Sequence, residues 1–222
     1  MMFNVAEKFV SINGEGTKAG QLAVFIRFTG CNLRCSYCDT KWACDEKTAP
    51  HTKMTAEEIY SYIKETGVKN VTLTGGEPLI QENIKELLEI ICADRELYCE
   101  IETNGSVDLK PFCDIENRPS FTMDCKLASS NMEEFMCEGN YSLLSENDTV
   151  KFVAGGKSDL SDAKEIMEKY NLIGRVNVYI SPVFGSIEPK EIVDFMIDNK
   201  LNDVNLQLQL HKIIWDPDMK GV

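Results

Sequence analysis

Three cysteines, Cys31, Cys35 and Cys38, fall at CxxxCxxC spacing in the polar stretch Gly30-Cys31-Asn32-Leu33-Arg34-Cys35-Ser36-Tyr37-Cys38-Asp39-Thr40. A loop this short gathers three thiolates, and a 4Fe-4S cube takes one cysteine on each protein-bound iron. Three protein ligands leave one iron open. An electron-transfer cluster normally has every iron capped by protein, whereas an open iron can bind a small molecule. Structural zinc is the competing use of such thiols, but zinc prefers four ligands in paired CxxC or histidine-containing arrangements. The chain has only two histidines, His51 and His211, and neither stands at such a spacing. Disulfides fit poorly too, because nine cysteines is an odd number and no secretory pattern opens the chain.

Two further stretches carry polar chemistry. Thr74-Gly75-Gly76-Glu77-Pro78 follows a β-branched run, and paired glycines after a strand let the backbone come close to a ligand. Ile12-Asn13-Gly14-Glu15-Gly16 places an acid between glycines upstream of the cysteines, where Arg27 also stands. By itself Gly14-Glu15-Gly16 is a plain turn before a strand. A guanidinium fork suits a carboxylate.

The elements that must position these residues alternate. Gln21–Phe28 reads as the first buried strand. A helix follows from the cap Thr55 through Ile59, Tyr60 and Ile63 to Gly67. Val68–Leu73 is a strand, Glu82–Cys92 a helix, and Tyr98–Thr103 a strand ending on the left-handed turn signal Asn104-Gly105. Ser120–Lys126 is the next strand, with Ser129-Ser130-Asn131 as cap for a helix beginning near Met132. Strand Thr149–Val153, helix Ser158–Tyr170, strand Val176–Ser181 and helix Glu191–Lys200 come next, and Val204–Leu210 alternates at period two. Strands alternating with helices predict a mostly parallel sheet with right-handed crossovers. The expected fold is α/β: an open, partial (β/α) barrel of about six strands, one domain over residues 1–222, with ligands at the carboxyl ends of the strands. Cys44, Cys92, Cys99, Cys113, Cys125 and Cys137 have no clustered spacing and read as small buried hydrophobes.

A net charge of −13 argues against a nucleic-acid groove, which needs a basic surface. No apolar run reaches the ~18–20 residues of a membrane helix. The chain reads as cytoplasmic.

CxxxCxxC with an aromatic residue before its last cysteine, followed by Gly75-Gly76-Glu77-Pro78 after the next strand, resembles the radical S-adenosylmethionine superfamily. There the amino acid end of S-adenosylmethionine chelates the open iron, and the reduced cluster yields a 5′-deoxyadenosyl radical. Within it, the Ser-Ile-Asn-Gly-Glu-Gly opening, Arg27, Cys38-Asp39-Thr40, Glu102-Thr103-Asn104-Gly105, Asp124-Cys125-Lys126 and the ending Gln209-Leu210-His211-Lys212 with Trp215 resemble the 7-carboxy-7-deazaguanine synthases.

The resemblance implies conversion of 6-carboxy-5,6,7,8-tetrahydropterin to a 7-deazapurine of queuosine biosynthesis, with loss of ammonia. It implies that Cys31, Cys35 and Cys38 bind the 4Fe-4S cluster. Tyr37, Cys38, Asp39 and Gly76 then line the S-adenosylmethionine site, with Asp124, Cys125 and Lys126 on its nucleoside side. Thr40 donates its hydroxyl oxygen to Mg2+, which suits a hard cation. Ile12, Asn13, Gly14, Arg27 and Thr74 contact the pterin, and Asn13 departs from the glutamine common in the family. A homodimer and an electron donor such as flavodoxin or ferredoxin are further expectations. Two other readings stay open: an activase that installs a glycyl radical on a partner protein, which has no need of Thr40 or Arg27, and a non-catalytic iron–sulfur electron carrier with four protein ligands.

Overall fold

A computed structural model describes residues 2–217 and 219–222. Among these residues nine strands form one sheet: β1 (Phe3–Ile12), β2 (Leu22–Phe28), β3 (Thr52–Met54), β4 (Asn70–Gly75), β5 (Tyr98–Thr103), β6 (Ser120–Cys125), β7 (Thr149–Ala154), β8 (Asn177–Pro182) and β9 (Val204–Leu206). Their order is β3-β1-β2-β4-β5-β6-β7-β8-β9. From β2 to β9 every pairing is parallel, while β1 pairs antiparallel with both β2 and β3. The sheet is open, as expected for a partial barrel, and it is longer than the six strands anticipated.

The helices are α1 (Ala56–Thr66), α2 (Ile84–Ala93), α3 (Lys110–Cys113), α4 (Lys157–Lys169), α5 (Pro189–Asp198) and α6 (Leu210–Ile214). Local chemistry sets their ends. Thr55 Oγ1 accepts from Glu58 N while Glu58 Oε2 accepts from Thr55 N, and Gly67 closes α1 at φ 68°. This reciprocal box satisfies two backbone donors that would otherwise be orphaned. Thr55→Ala is therefore expected to destabilise the protein by about 1 kcal/mol, read as a lower urea midpoint with unchanged slope.

Residues alternate along the parallel strands, and the alternation sorts them onto two faces. Ile26, Leu73, Ile101, Phe121, Phe152 and Ile180 are buried in the layer shared with the helices. Arg27, Thr74, Glu102, Asp124, Lys151 and Ser181 share the other face, through the pairings Arg27 with Thr74, Glu102 with Thr122, Asp124 with Lys151 and Val153 with Ser181. A closed α/β barrel fills its interior with apolar side chains. Here the inner face is charged and hydrogen-bonding, so burying it demands partners and leaves room for a polar ligand. Segment 13–16, leaving β1, crosses this face. Thr72 Oγ1 in β4 donates to Asn13 Oδ1 at 3.0 Å, while Glu15 meets Lys151 in β7 and Ser181 in β8.

Three expectations are corrected. Gln21–Phe28 is not the first strand, because β1 precedes it as an antiparallel cover whose Phe9 ring stacks on Phe25 at 5.0 Å. No α-helix begins near Met132. Residues 128–142 form 3-10 turns (Ala128–Ser130, Glu133–Phe135 and Glu138–Ser142), and Asn131 sits at φ 59° where a helix would have to continue. Asn140 holds this crossover by donating to the carbonyls of Gly105 and Val107 and accepting from Leu109 N. The alternation from Val204 to Leu210 is strand only to Leu206, and α6 takes over at Leu210.

Candidate active site

The cysteine loop leaves β2 at the carboxyl edge of the parallel sheet and is pinned on every side. Gly30 N donates to Ala43 O and Cys31 N to Cys44 O, which closes the loop at its base. Arg34 Nη1 donates to the carbonyls of Cys31 and Leu33. Ser36 donates through N to Ser130 O and through Oγ to Ser129 O. Asn32 Nδ2 donates to Ser106 Oγ, and Asn104 Nδ2 donates to Asn32 Oδ1 and reaches Cys31 Sγ at 3.7 Å. The Asn104-Gly105 turn and the Ser129-Ser130 pair thus anchor the loop.

Burial pushes up the thiols of Cys31 and Cys35, and each also feels Cys38. Among the described residues no three metal-type side chains converge on a single ion. A cube distributes its cysteines over separate irons, so the three sulfurs need not meet at one point. Leu33 N donates to Cys31 Sγ at 3.4 Å, and such bonds tune a cluster's potential. Cys44 is buried as expected, yet its Sγ lies 4.0 Å from Cys38 Sγ. Burial and the neighbouring thiols push Cys44 up to about 12. The CxxxCxxC spacing gave no hint of it.

Behind the loop, Gly75 and Gly76 pack directly on the backbone of residues 28–31. Gly76 N donates to Phe28 O and Glu77 N to Gly30 O. Glu77 is fully buried and accepts from Leu79 N, Thr103 Oγ1 and Asn104 N at 2.6–3.0 Å. Burial pushes it up to about 7 against the pull of those donors.

Arg27 lies at the rim of the polar face, where Glu7 engages it through Nε at 2.7 Å. Thr74 Oγ1 donates to Glu102 Oε2 at 2.6 Å. Asp124 pairs with Lys126 at 2.6 Å, and the Lys126 ammonium stands 5.9 Å from the Tyr37 ring. Asn13 uses its backbone N and O in the hairpin to β2, by bonds to Gln21 O and Gly20 N. Its side-chain amide is then the group left to reach a ligand. Ile12 is half-buried at the end of β1. Thr40 Oγ1 donates to Asp39 Oδ1, and against partial desolvation Lys212 and Thr40 together hold this exposed carboxyl below its ordinary value. The Cys125 thiol is not brought to this site: it is buried on the helix side, 3.0 Å from Tyr141 Oη.

Sequence reasoning missed Glu7, Glu102 and Lys151 as parts of this face. The available signal was charge inside otherwise apolar strands: Glu100 and Glu102 at alternate positions of β5 and the single Lys151 of β7. The C-terminal segment also joins the site. Leu210 N donates to Gly14 O, Lys212 Nζ meets Asp39 Oδ2 at 3.4 Å, and the Lys220 ammonium lies 4.0 Å from the Trp42 ring centre. His211 packs so closely on Gly14 that a Cβ there would lie 2.5 Å from Nδ1. Burial pushes this imidazole below its ordinary range.

The radical SAM superfamily model matches residues 25–131. A 7-carboxy-7-deazaguanine synthase from Clostridium acetobutylicum is 61% identical over 222 residues, covering all of both chains. The chain belongs to the 7-carboxy-7-deazaguanine synthase family. The relative of that name from Chlorobaculum tepidum is 36% identical over 99% of this chain and 97% of its own. The crystal structure of QueE from Escherichia coli superposes with a TM-score of 0.73 over 93% of each chain at 20% identity, which identifies the same fold.

The residues present fit the iron–sulfur cluster and S-adenosylmethionine that a radical SAM family implies. Three thiols from one pinned loop form the donor set. Tyr37 Oη, Asp124 Oδ1 and Asn13 Nδ2 are buried polar atoms without a partner among the described residues. Orphaned buried groups are costly unless something meets them, and these three are a donor or acceptor set for a polar ligand between the loop and the polar face.

Proposed function

We propose that this chain is a 7-carboxy-7-deazaguanine synthase, converting 6-carboxy-5,6,7,8-tetrahydropterin to 7-carboxy-7-deazaguanine and ammonia. The observation that carries the reading is the 61% identity to the named relative across the whole of both chains. When bound, the cluster and S-adenosylmethionine supply hydrogen-abstracting radical chemistry. The chain's own residues bind, orient and exclude water around it.

Cys31, Cys35 and Cys38 hold the cluster. Tyr37, Asp39, Gly76 and Asp124 with Lys126 line the S-adenosylmethionine site, and Cys125 contributes through its backbone. Arg27, with Glu7 on Nε, offers its remaining N–H groups to the pterin carboxylate. Thr74, Gly14 and Ile12 pack the ring, and Asn13 donates from Nδ2. The C-terminal segment closes over Gly14 and Asp39. Mg2+ at Thr40, a homodimer, a cytoplasmic location and a flavodoxin- or ferredoxin-type donor complete the proposal. Support for the location comes from nine free cysteines, a pattern of reducing compartments.

The test is an anaerobic assay of the iron-reconstituted protein with dithionite, S-adenosylmethionine, Mg2+ and the pterin, read by mass spectrometry. Formation of the deazaguanine with loss of one ammonia is the expected result. Accumulation of 5′-deoxyadenosine with the pterin untouched sinks the assignment. Thr40→Ala is expected to weaken apparent Mg2+ affinity by at least about tenfold in a metal titration of the same assay. An unchanged titration removes Thr40 from the metal site.

A further inference from the structure

A cavity of about 800 Å³ opens at the opposite edge of the sheet, among the amino ends of the strands at Asn70, Tyr98, Ser120 and Asn177. Its inner wall is Asn13, Thr72 and Glu100. Glu100 lies on the polar face one step below Glu102 and accepts from Thr122 Oγ1 through Oε1. Gly16 presses on it from above, since a Cβ there would stand 3.3 Å from Glu100 Oε1. One carboxyl group therefore touches the basin on one side and faces the substrate chamber on the other. At the carboxyl end, the C-terminal segment lies across the chamber, tied to Gly14 and Asp39.

We propose that Glu100 is the transfer point of a proton path that runs from this basin to the carboxylates Glu15 and Glu102 beneath the substrate. The inference rests on the proposed function, which gives the path something to do. As ammonia departs, the breaking C–N bond leaves its electron pair on nitrogen, which must gain a proton, while the ring gives one up. The released ammonia takes a further proton from water to become ammonium. A protonated Glu100 passes its proton inward to the departing nitrogen and regains one from the basin, and the proton given up by the ring leaves along the same carboxylates to water in the basin, so the residue ends unchanged and the protons balance. The groups that face it are Glu102 on its own strand, Glu15 from the crossing segment, Thr122 on β6, Lys151 on β7 and Tyr179 on β8. Burial and Glu102 push Glu100 up to about 7, against Thr122 and Lys151, so at neutral pH it both gives and takes a proton.

The test compares Glu100→Gln with the parent holoenzyme, using pterin deuterated at the abstracted position. Glutamine keeps an acceptor for Thr122, so the strand pairing has no reason to fail. Transfer of deuterium into S-adenosylmethionine is expected to persist in the variant. Ammonia release is expected to fall by at least about tenfold and to lose its pH dependence near neutrality. Glu100→Ala is expected to recover release as acetate is added, because the basin admits a small carboxylic acid. In the protein without substrate, the infrared difference between the parent and Glu100→Gln should contain the band of one protonated carboxyl that titrates near neutral pH, separate from that of Glu77, which both proteins keep. Ammonia release in Glu100→Gln at the parent's rate and pH profile overturns the proposal, as does a difference spectrum without that band. A parent that transfers no deuterium and releases no ammonia overturns the functional reading instead.

Discussion

Gly76→Ala is expected to lower kcat/KM by more than about a hundredfold, because a displacement of about 1 Å in a reacting geometry costs that much. An added Cβ would lie 1.8 Å from Gly30 O, 2.3 Å from Gly30 C and 3.0 Å from Cys31 N. All three are backbone atoms, so no side chain can swing aside. Either the end of β4 retreats or the cysteine loop does, and each retreat stretches the bond from Glu77 N to Gly30 O. Overpacking of this kind also costs about 1–3 kcal/mol. The readouts are the ammonia-release assay and the EPR signal of the reconstituted cluster, whose change on adding S-adenosylmethionine should be lost or reduced. Gly139→Ala, where an added Cβ meets nothing within 4 Å, is the control. Equal activity in both variants would show that the close packing of Gly76 on the loop has no catalytic consequence.

What could be read beforehand follows from the range of the forces involved. The α1 boundaries were legible because Thr55, Glu58 and Gly67 act within a turn of the backbone they cap. The parallel strands were legible from β-branched runs between helices, and the chemistry of the site from CxxxCxxC and Gly75-Gly76-Glu77-Pro78. Features made by distant partners were not. β1 is a strand because β2 lies beside it, and residues 128–142 avoid α-helix because Asn140 is claimed by carbonyls more than thirty positions away. Cys44 reads as an isolated thiol until the turn after Thr40 folds it toward Cys38. Lys151 carries no motif, and Glu102 was legible only as part of Glu102-Thr103-Asn104-Gly105; the meaning of both lies in the face they share with Arg27 and Asp124.

That face makes Lys151 the residue whose loss should be felt most in stability. Its ammonium lies 3.3 Å from Glu15, and the fields of Asp124 and Glu102 join Glu15 in holding it charged well above the ordinary lysine range despite burial. Lys151→Met preserves the apolar stem but leaves Glu15, which is mostly buried, with the Ser181 hydroxyl as its remaining side-chain partner among the described residues. Breaking a buried pair by removing one partner costs about 3–5 kcal/mol. The lysine's own contribution is fully present below its unfolded value of about 10.4 and is lost only as pH rises through the higher folded value. Between pH 5 and 8 it is therefore constant, and any slope in the variant belongs to the carboxylates. Without Lys151, Glu100, already pushed up by burial, loses a cation that pulls it down, so the folded chain binds that proton more tightly than the unfolded one and the variant's stability rises as pH falls. Urea unfolding should accordingly show a larger deficit for Lys151→Met at pH 8 than at pH 5. Adding Glu15→Gln should return at least half of the loss, because that substitution removes the stranded charge while keeping an acceptor for Ser181. A deficit that is equal at both pH values and undiminished in the double variant would mean that Lys151 acts by packing, and that the polar face is held together by something other than its charge balance.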